Sequence, residues 1–126
     1  MEKCFMTVKE RRALAESYLG KIVHIEIDRP IGYVHRKKNY DLIYPINYGY
    51  IPGVLGGDAE ELDVYLLGID TPITAFDAEI IAIVFRTDDV EDKLVGVPVG
   101  MRFTKEEIAA AVNFQEQHHV SYIETI

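Results

Sequence analysis

The sequence predicts an α+β fold that is mainly β, with a small twisted barrel that carries helices on its outside. Three observations lead to this prediction. Short apolar segments of strand length are separated by turn-forming glycines and prolines. A helical segment follows these strands, and Thr104 and Glu107 form a capping box at its start. The 126 residues contain no internal repeat and no low-complexity linker, so we expect a single domain over residues 1–126.

The N-terminal third predicts one helix and one strand. Residues 7–17, TVKERRALAES, are rich in helix-forming residues and polar enough to lie at the periphery. Residues 21–27, KIVHIEI, alternate between apolar and polar side chains, which predicts a half-buried strand. The turn-forming segment at 29–32, RPIG, ends this strand, and a basic, polar stretch follows at 33–41.

The rest of the chain predicts further strands and turns. Strands are expected at residues 64–69, 79–85 and 94–97. The segment 79–85 is so apolar that we expect both of its faces to be buried. Turns are expected at 52–53 and 56–57. After the helix, residues 120–126 are expected to add a short strand or to pack on the surface.

The composition argues against several classes of protein. The formal net charge of −8 does not suit a nucleic-acid partner, because phosphate backbones are bound by Lys and Arg. The longest apolar run, 80–85, is far shorter than the about 20 residues of a membrane-spanning helix. Cys4 is the only cysteine, and the N-terminus lacks the apolar run of a signal peptide. We therefore expect a cytoplasmic protein without disulfides.

Two acidic clusters each lie next to a predicted strand. The first consists of Asp58, Glu60 and Asp63, and the second of Asp88, Asp89, Glu91 and Asp92. Converging carboxylates suit Mg²⁺, a hard cation that prefers oxygen ligands. The alternative is that each cluster is a solvated acidic loop. If the two loops meet, a bound cation is the natural explanation, since they would otherwise repel each other.

Basic and aromatic residues supply candidates for binding an anion. The basic run consists of His35, Arg36, Lys37 and Lys38, and Arg is the better bidentate partner for phosphate. A charged surface loop is the alternative. Tyr44, Tyr48 and Tyr50 lie close together in sequence, and a tyrosine hydroxyl donates to phosphate oxygens while its ring packs. His118 and His119 end the predicted helix, where a structural role is as plausible as a functional one.

The order of these motifs resembles that of the soluble, barrel-type (family I) inorganic pyrophosphatases, and it does so over roughly residues 20–120. The motifs in order are IEI at 25–27, YPINYGYIPG at 44–53, DAEELD at 58–63, TDDVED at 87–92, KLVGVP at 93–98 and FQEQHH at 114–119. The resemblance implies a five-stranded OB-like barrel with peripheral helices. It also implies Mg²⁺-dependent hydrolysis of pyrophosphate to two phosphates.

The resemblance assigns phosphate-binding roles to several residues. Tyr48 matches the family's phosphate-site tyrosine, Tyr44 a second tyrosine at the edge of the site, and Lys93 the phosphate-binding lysine. Arg36 is a phosphate candidate in either of two alignments of residues 24–38. His118 and His119 replace a Tyr-Lys pair of the family, so His119 becomes a substrate-binding candidate that is only partly cationic at neutral pH.

The resemblance also assigns metal ligands, with Glu60 in a second role. The metal-ligand candidates are Asp58, Glu60, Asp63, Asp88, one of Glu91 or Asp92, and Glu26. Glu60 stands where the family has the aspartate that ligates metal and accepts the proton of the attacking water. Its extra methylene shifts the carboxylate by about 1 Å or more, a displacement that can cost about a hundredfold in rate.

Two other functions remain open at this level. One is a degenerate relative that binds phosphate compounds or a protein partner without turnover, a hypothesis motivated by Glu60 and the two histidines. The other is a phosphohydrolase for another small phosphorylated substrate. A homo-oligomer is an expectation from the family resemblance alone.

Overall fold

The computed structural model describes residues 6–126. Cys4, on which the prediction of a protein without disulfides rests, lies outside them. The elements in chain order are α1 (Val8–Glu16), β1 (Ile22–Arg29), β2 (Val34–Arg36), β3 (Asp41–Ile43), β4 (Asn47–Leu55), β5 (Glu61–Leu66), β6 (Ala75–Arg86), β7 (Lys93–Val97), α2 (Lys105–Glu116) and β8 (Ser121–Thr125). Neither helix is long and apolar enough to cross a membrane, within the part of the chain that the structure describes.

Five strands close into a barrel in the order β1-β4-β5-β7-β6, and β6 pairs back onto β1. The β5–β7 pairing is parallel and the other pairings are antiparallel. Strand β8 adds to β6 outside the closed barrel, and β2 and β3 form a separate hairpin. This arrangement confirms the predicted small five-stranded barrel with peripheral helices.

Two apolar clusters explain why the strands are so hydrophobic. One fills the barrel and includes Ile25, Leu66 and Ile83, all fully buried. The other lies outside the barrel wall beneath α2, where Ile108 and Val112 contact side chains of the barrel strands. Strand β6 contributes to both clusters, which confirms the prediction that its apolar segment is buried on both faces.

Both predicted helices form, and each begins with the reciprocal hydrogen bonds of a capping box. Thr7 and Glu10 cap α1, and Thr104 and Glu107 cap α2. In each case the threonine hydroxyl accepts from the third helical N–H and the glutamate accepts from the backbone N–H of the threonine. These contacts satisfy donors that the helix itself leaves without partners.

Strand β4 differs most from the sequence-based expectation. Its residues were read as an irregular Tyr-Pro-Asn-Gly stretch ending in a turn at Pro52-Gly53, but the strand continues to Leu55. The pairing with β5 shifts register between Tyr50 and Leu55, so Pro52 lies in an irregular part of the ladder. Proline is tolerated at such a position because no ladder hydrogen bond is required from it.

Candidate active site

A polar cavity of about 310 Å³ opens beside the barrel, between the strands and the C-terminal end of α2. Its lining combines both signs of charge with a few neutral polar groups. The lining residues are Asp28, Arg29, His35, Lys37, Tyr48, Asp63, Arg86, Asp89, Glu91, Lys93, Gln115 and His119. Such a mixture suits an anion that binds together with cations.

Asp63 and Lys93 form the centre of this lining, because β5 and β7 pair in parallel with these two residues opposite each other. Lys93 Nζ lies 2.6 Å from Asp63 Oδ2 and 3.0 Å from Glu91 Oε2. The hydroxyl of Tyr48 donates to the same Asp63 oxygen at 2.7 Å. The structure therefore brings together four residues that the sequence proposed for the site.

Burial and charge act in opposite directions on Lys93, which is only 2% exposed. Burial lowers the pKa of its ammonium group, but the carboxylates of Asp63 and Glu91 outweigh burial and leave the pKa raised. Lys93 is therefore a permanent positive charge at neutral pH. Burial, followed by the charge of Asp63, raises the pKa of Tyr48 well above its ordinary value, so Tyr48 remains a hydrogen-bond donor.

The two acidic loops meet, as a shared site requires. A Cβ atom added to Gly57 would lie 2.5 Å from the carbonyl oxygen of Val90, so the first loop touches the second closely enough that only glycine fits. Burial, followed by hydrogen bonding to the carboxyl of Glu91, raises the pKa of Asp58 to about 7. The pair thus holds one proton between two carboxyl groups.

The donor set of these loops fits a hard divalent cation. Asp58, Asp63 and Glu91 line a second, smaller cavity of about 10 Å³, which is about the space of one small sphere such as a water molecule. All three supply carboxylate oxygens, the donors that Mg²⁺ prefers. As they stand, no three acidic, histidine or cysteine side chains among residues 6–126 are arranged as a metal site. The fit is therefore one of donor chemistry.

The shared proton predicts a pH dependence for the metal-free protein. Because the pKa of Asp58 is raised from 3.8 to about 7, the folded state binds more protons than the unfolded state between these values. The free energy of unfolding should therefore fall as the pH rises from about 4 to about 7. Asp58→Asn, which stays neutral, should flatten this slope. Urea unfolding in chelator across this range measures it, and equal slopes for both proteins would contradict the shared proton.

The structure distinguishes Glu91 from Asp92, which the sequence left open. Glu91 faces both cavities and contacts Lys93. Asp92 also borders the smaller cavity, but its carboxylate is bound by Arg11, with a guanidinium nitrogen 2.7 Å from Oδ1, and it accepts from the backbone of Arg86. Its oxygens join α1 to the end of β6, so Glu91 is the more accessible carboxylate of the two.

Four other predicted site residues lie apart from this centre. Glu60 is exposed in the turn before β5 and lines neither cavity. Glu26 lies on β1 beside His24, with 3.6 Å between His24 Nε2 and Glu26 Oε1. Arg36 is 78% exposed on the β2–β3 hairpin, where it pairs with Asp41. Oδ2 of Asp88 lies 3.4 Å from Nδ1 of His119, and of these two residues only His119 borders the cavity.

The C-terminal end of α2 contributes a buried polar network that the sequence did not predict. The hydroxyl of Tyr44 donates to Gln115 Oε1 at 2.8 Å, and Gln115 Nε2 donates to Tyr65 Oη at 2.9 Å. Tyr65 in turn donates to Glu116, which pairs with Arg86 at 2.7 Å. The one signal in the sequence was Gln115 itself, a polar residue at the apolar spacing of the helix. Tyr44 therefore packs into this network instead of lining the cavity.

Comparison with known proteins agrees with the barrel fold. The family model for inorganic pyrophosphatase matches residues 14–124. The chain is 34% identical over 95 residues to an inorganic pyrophosphatase of Saccharolobus solfataricus, in a match that covers 71% of this chain and 55% of that protein. The chain belongs to the inorganic pyrophosphatase family. The solved inorganic pyrophosphatase from Ehrlichia chaffeensis has the same fold as this family member, with a TM-score of 0.65 at 16% identity over 86% of this chain and 88% of that chain.

The curated relatives are longer than the sequence described. The chain spans about half the length of the curated relatives it matches, covering 45% of one from Pseudomonas syringae and 55% of the Saccharolobus solfataricus protein. A third relative, the inorganic pyrophosphatase of Haemophilus influenzae, is 41% identical over 64 residues, which is 48% of this chain and 36% of that protein.

Proposed function

We propose that this chain hydrolyses inorganic pyrophosphate to two phosphates with Mg²⁺, in the cytoplasm and without a nucleic-acid or membrane partner. The observation that carries the proposal is the cluster near the N-terminal ends of β5 and β7. There a buried lysine and a tyrosine hydroxyl converge on carboxylates from two acidic loops. Pyrophosphate is a polyanion that enzymes bind together with divalent cations, and this lining provides positive charge and oxygen ligands side by side.

The residues have distinct roles in this proposal. Asp58, Asp63 and Glu91 hold the divalent cations, which when bound lower the pKa of a coordinated water and neutralise phosphoryl oxygens. Lys93 binds a phosphoryl group, because burial keeps its charge unscreened by water and close to the cavity. Tyr48 orients Asp63 through its hydroxyl. His119 borders the cavity and is placed to contact the anion from α2.

The test is phosphate release from Mg-pyrophosphate by the purified protein. The double variant Asp58→Asn, Asp63→Asn should lower the rate by at least about a hundredfold, because removing two cation ligands removes several kcal/mol of transition-state stabilisation. Asp70→Asn is the matched control, since Asp70 is exposed and lies outside both cavities. Wild-type activity no higher than that of the double variant would overturn the proposal.

The position of Glu60 favours a second candidate function, binding without turnover. The predicted acceptor of the water's proton is exposed and borders neither cavity. A phosphate-binding protein would show Mg²⁺-dependent binding of pyrophosphate by calorimetry while phosphate release stays at background.

A panel of small phosphorylated substrates, run alongside, would reveal a related phosphohydrolase if pyrophosphate is not the best substrate. A homo-oligomer remains a prediction that light scattering would test.

A further inference from the structure

Arg29 differs from every other arginine of the described residues in its ion pairing. The other five each lie within 4 Å of a carboxylate: Arg11, Arg12, Arg36, Arg86 and Arg102. Arg29 has no such partner among residues 6–126, although the chain has a net charge of −8. The carboxylate of its neighbour Asp28 acts on it only from beyond ion-pair distance. A half-buried guanidinium with no carboxylate within 4 Å, on the wall of the polar cavity, is a strong candidate for binding an external anion.

Neutral groups hold Arg29 in place. Its Nη1 atom donates to the hydroxyl of Tyr44 and lies 3.2 Å from Nδ1 of His35. The guanidinium carbon lies 5.6, 5.5 and 5.7 Å from the ring centres of Tyr33, Tyr44 and Tyr48. Aromatic faces attract a cation without neutralising it. The side chain is therefore oriented while its charge stays available.

The free edge of the guanidinium matches a phosphoryl group. Both hydrogen bonds of the Arg29 side chain to described residues come from Nη1, which leaves the Nη2 and Nε donors without a described partner. Two parallel N–H donors bind two oxygens of one phosphoryl group in a bidentate manner, a geometry that lysine cannot reproduce. Lys93 and Arg29 line the same cavity, so they are placed to bind different phosphoryl groups of one diphosphate.

We propose that Arg29, and not Arg36, is the arginine of this chain that binds a phosphoryl group of the substrate, oriented by Tyr33, Tyr44 and Tyr48. The proposal rests on the proposed function for the identity of the anion. Arg36 is 78% exposed and already paired with Asp41 at 2.9 Å, and it borders neither of the two cavities of the site. An exposed, paired and solvated cation contributes little to binding an anion at a distance.

The experiment measures binding separately from turnover. Wild type and the variants Arg29→Gln, Arg29→Lys and Arg36→Gln are titrated with Mg²⁺ and imidodiphosphate, a pyrophosphate analogue with a P–N–P bridge, by calorimetry. Arg29→Gln should raise Kd by about 10- to 100-fold, because charge-assisted hydrogen bonds are lost. Arg29→Lys keeps the positive charge but loses the pair of parallel N–H donors, so it should raise Kd by about tenfold. Arg36→Gln should change Kd by less than about twofold.

Melting temperatures and far-UV circular dichroism separate binding from folding. If Arg29→Gln does not fold, Arg29→Lys decides, since it retains the stem and the cation on the tyrosine rings. Equal Kd values for wild type and folded Arg29 variants, or a larger loss in Arg36→Gln, would overturn this proposal and leave the hydrolysis proposal standing. If wild type binds the analogue but does not hydrolyse pyrophosphate, only the hydrolysis proposal is overturned. In that case a higher Kd in the Arg29 variants would still support the role of Arg29. Wild type that neither binds nor hydrolyses would overturn both.

Discussion

Replacing Arg86 with methionine is expected to lower the free energy of unfolding by about 3–5 kcal/mol at pH 7, because it leaves buried charge without its partner. Arg86 is 5% exposed and Glu116 is 7% exposed. Their closest nitrogen and oxygen lie 2.7 Å apart. Once the guanidinium is gone, the hydroxyl of Tyr65 is the remaining hydrogen-bond partner of the Glu116 carboxylate among the described contacts. Urea unfolding followed by circular dichroism measures the loss.

Two comparisons show whether the buried pair causes this loss. The double variant Arg86→Met, Glu116→Met should recover most of the stability, since apolar side chains of similar size often replace a buried ion pair without cost. Arg36→Met removes an arginine from an exposed pair with Asp41 and should cost no more than about 1 kcal/mol. A loss in Arg86→Met no larger than in Arg36→Met would show that the network does not stabilise the fold.

The stability lost in Arg86→Met should also depend on pH, and the pKa of Glu116 determines the direction of this dependence. Burial raises the pKa of Glu116, but the hydrogen bonds from Arg86 and Tyr65 outweigh it and leave the pKa below its ordinary value of 4.5. The stabilisation by the Arg86–Glu116 pair is therefore present above pH 4.5 and is lost as the pH falls through the lowered pKa of Glu116. In Arg86→Met the carboxyl of Glu116 can protonate instead. The difference between variant and wild type should shrink as the solution is acidified.

Replacing Gly49 with alanine is expected to lower the free energy of unfolding by about 3 kcal/mol or more. This is at or above the largest loss that overpacking a protein core usually causes. A Cβ atom at Gly49 would lie 1.8 Å from the backbone oxygen of Glu26 and 3.0 Å from Cα of Ile27. Both atoms belong to the backbone of β1, so they cannot move aside as a flexible side chain would. The alanine can be accommodated only if β1 and β4 separate, which would open the barrel.

Gly56→Ala is the matched control for this prediction. Both glycines lack a positive φ angle, so alanine is compatible with the backbone at either position. The nearest atom to a Cβ at Gly56 is 3.6 Å away, which is ordinary van der Waals contact. The alanine also reduces the conformational freedom of the unfolded chain. The free energy of unfolding of this variant should therefore lie within about 1 kcal/mol of the wild-type value. Thermal unfolding of the two variants compares them directly, and equal melting temperatures would show that the β1–β4 approach is looser than described.

Gly49 also shows why the motif at residues 44–53 identified the family so reliably. Its glycine is required by the approach of two backbones, and neighbouring Tyr48 donates to a carboxylate on the next strand. Asp63 and Lys93 lie opposite each other on strands that pair directly. Five candidates that proved close together lie within three residues of the first residue of a strand: Tyr48, Asp58, Asp63, Glu91 and Lys93.

Residues of the β2–β3 hairpin and of α2 could not be placed in the same way. Arg29 is the last residue of β1 and Arg36 the last residue of β2, so which of them faces the cavity depends on how the chain leaves β1 and folds into the hairpin. Gln115 and Glu116 reach the barrel because α2 packs across its wall. Glu60 shares the DAEELD motif with two clustered residues, yet the turn directs its side chain to solvent.

Local patterns were thus sufficient for the fold class, the capped helices, the buried strand β6 and the carboxylates at strand ends, because apolar periodicity and turn residues act over a few neighbouring positions. The charge pairing was decided only by the tertiary structure. Which arginine lacks a carboxylate partner, and which two acids share a proton, depend on distances between elements far apart in the chain. Those distances follow from the closure of the barrel and from the packing of α2 against it, which no local pattern contains.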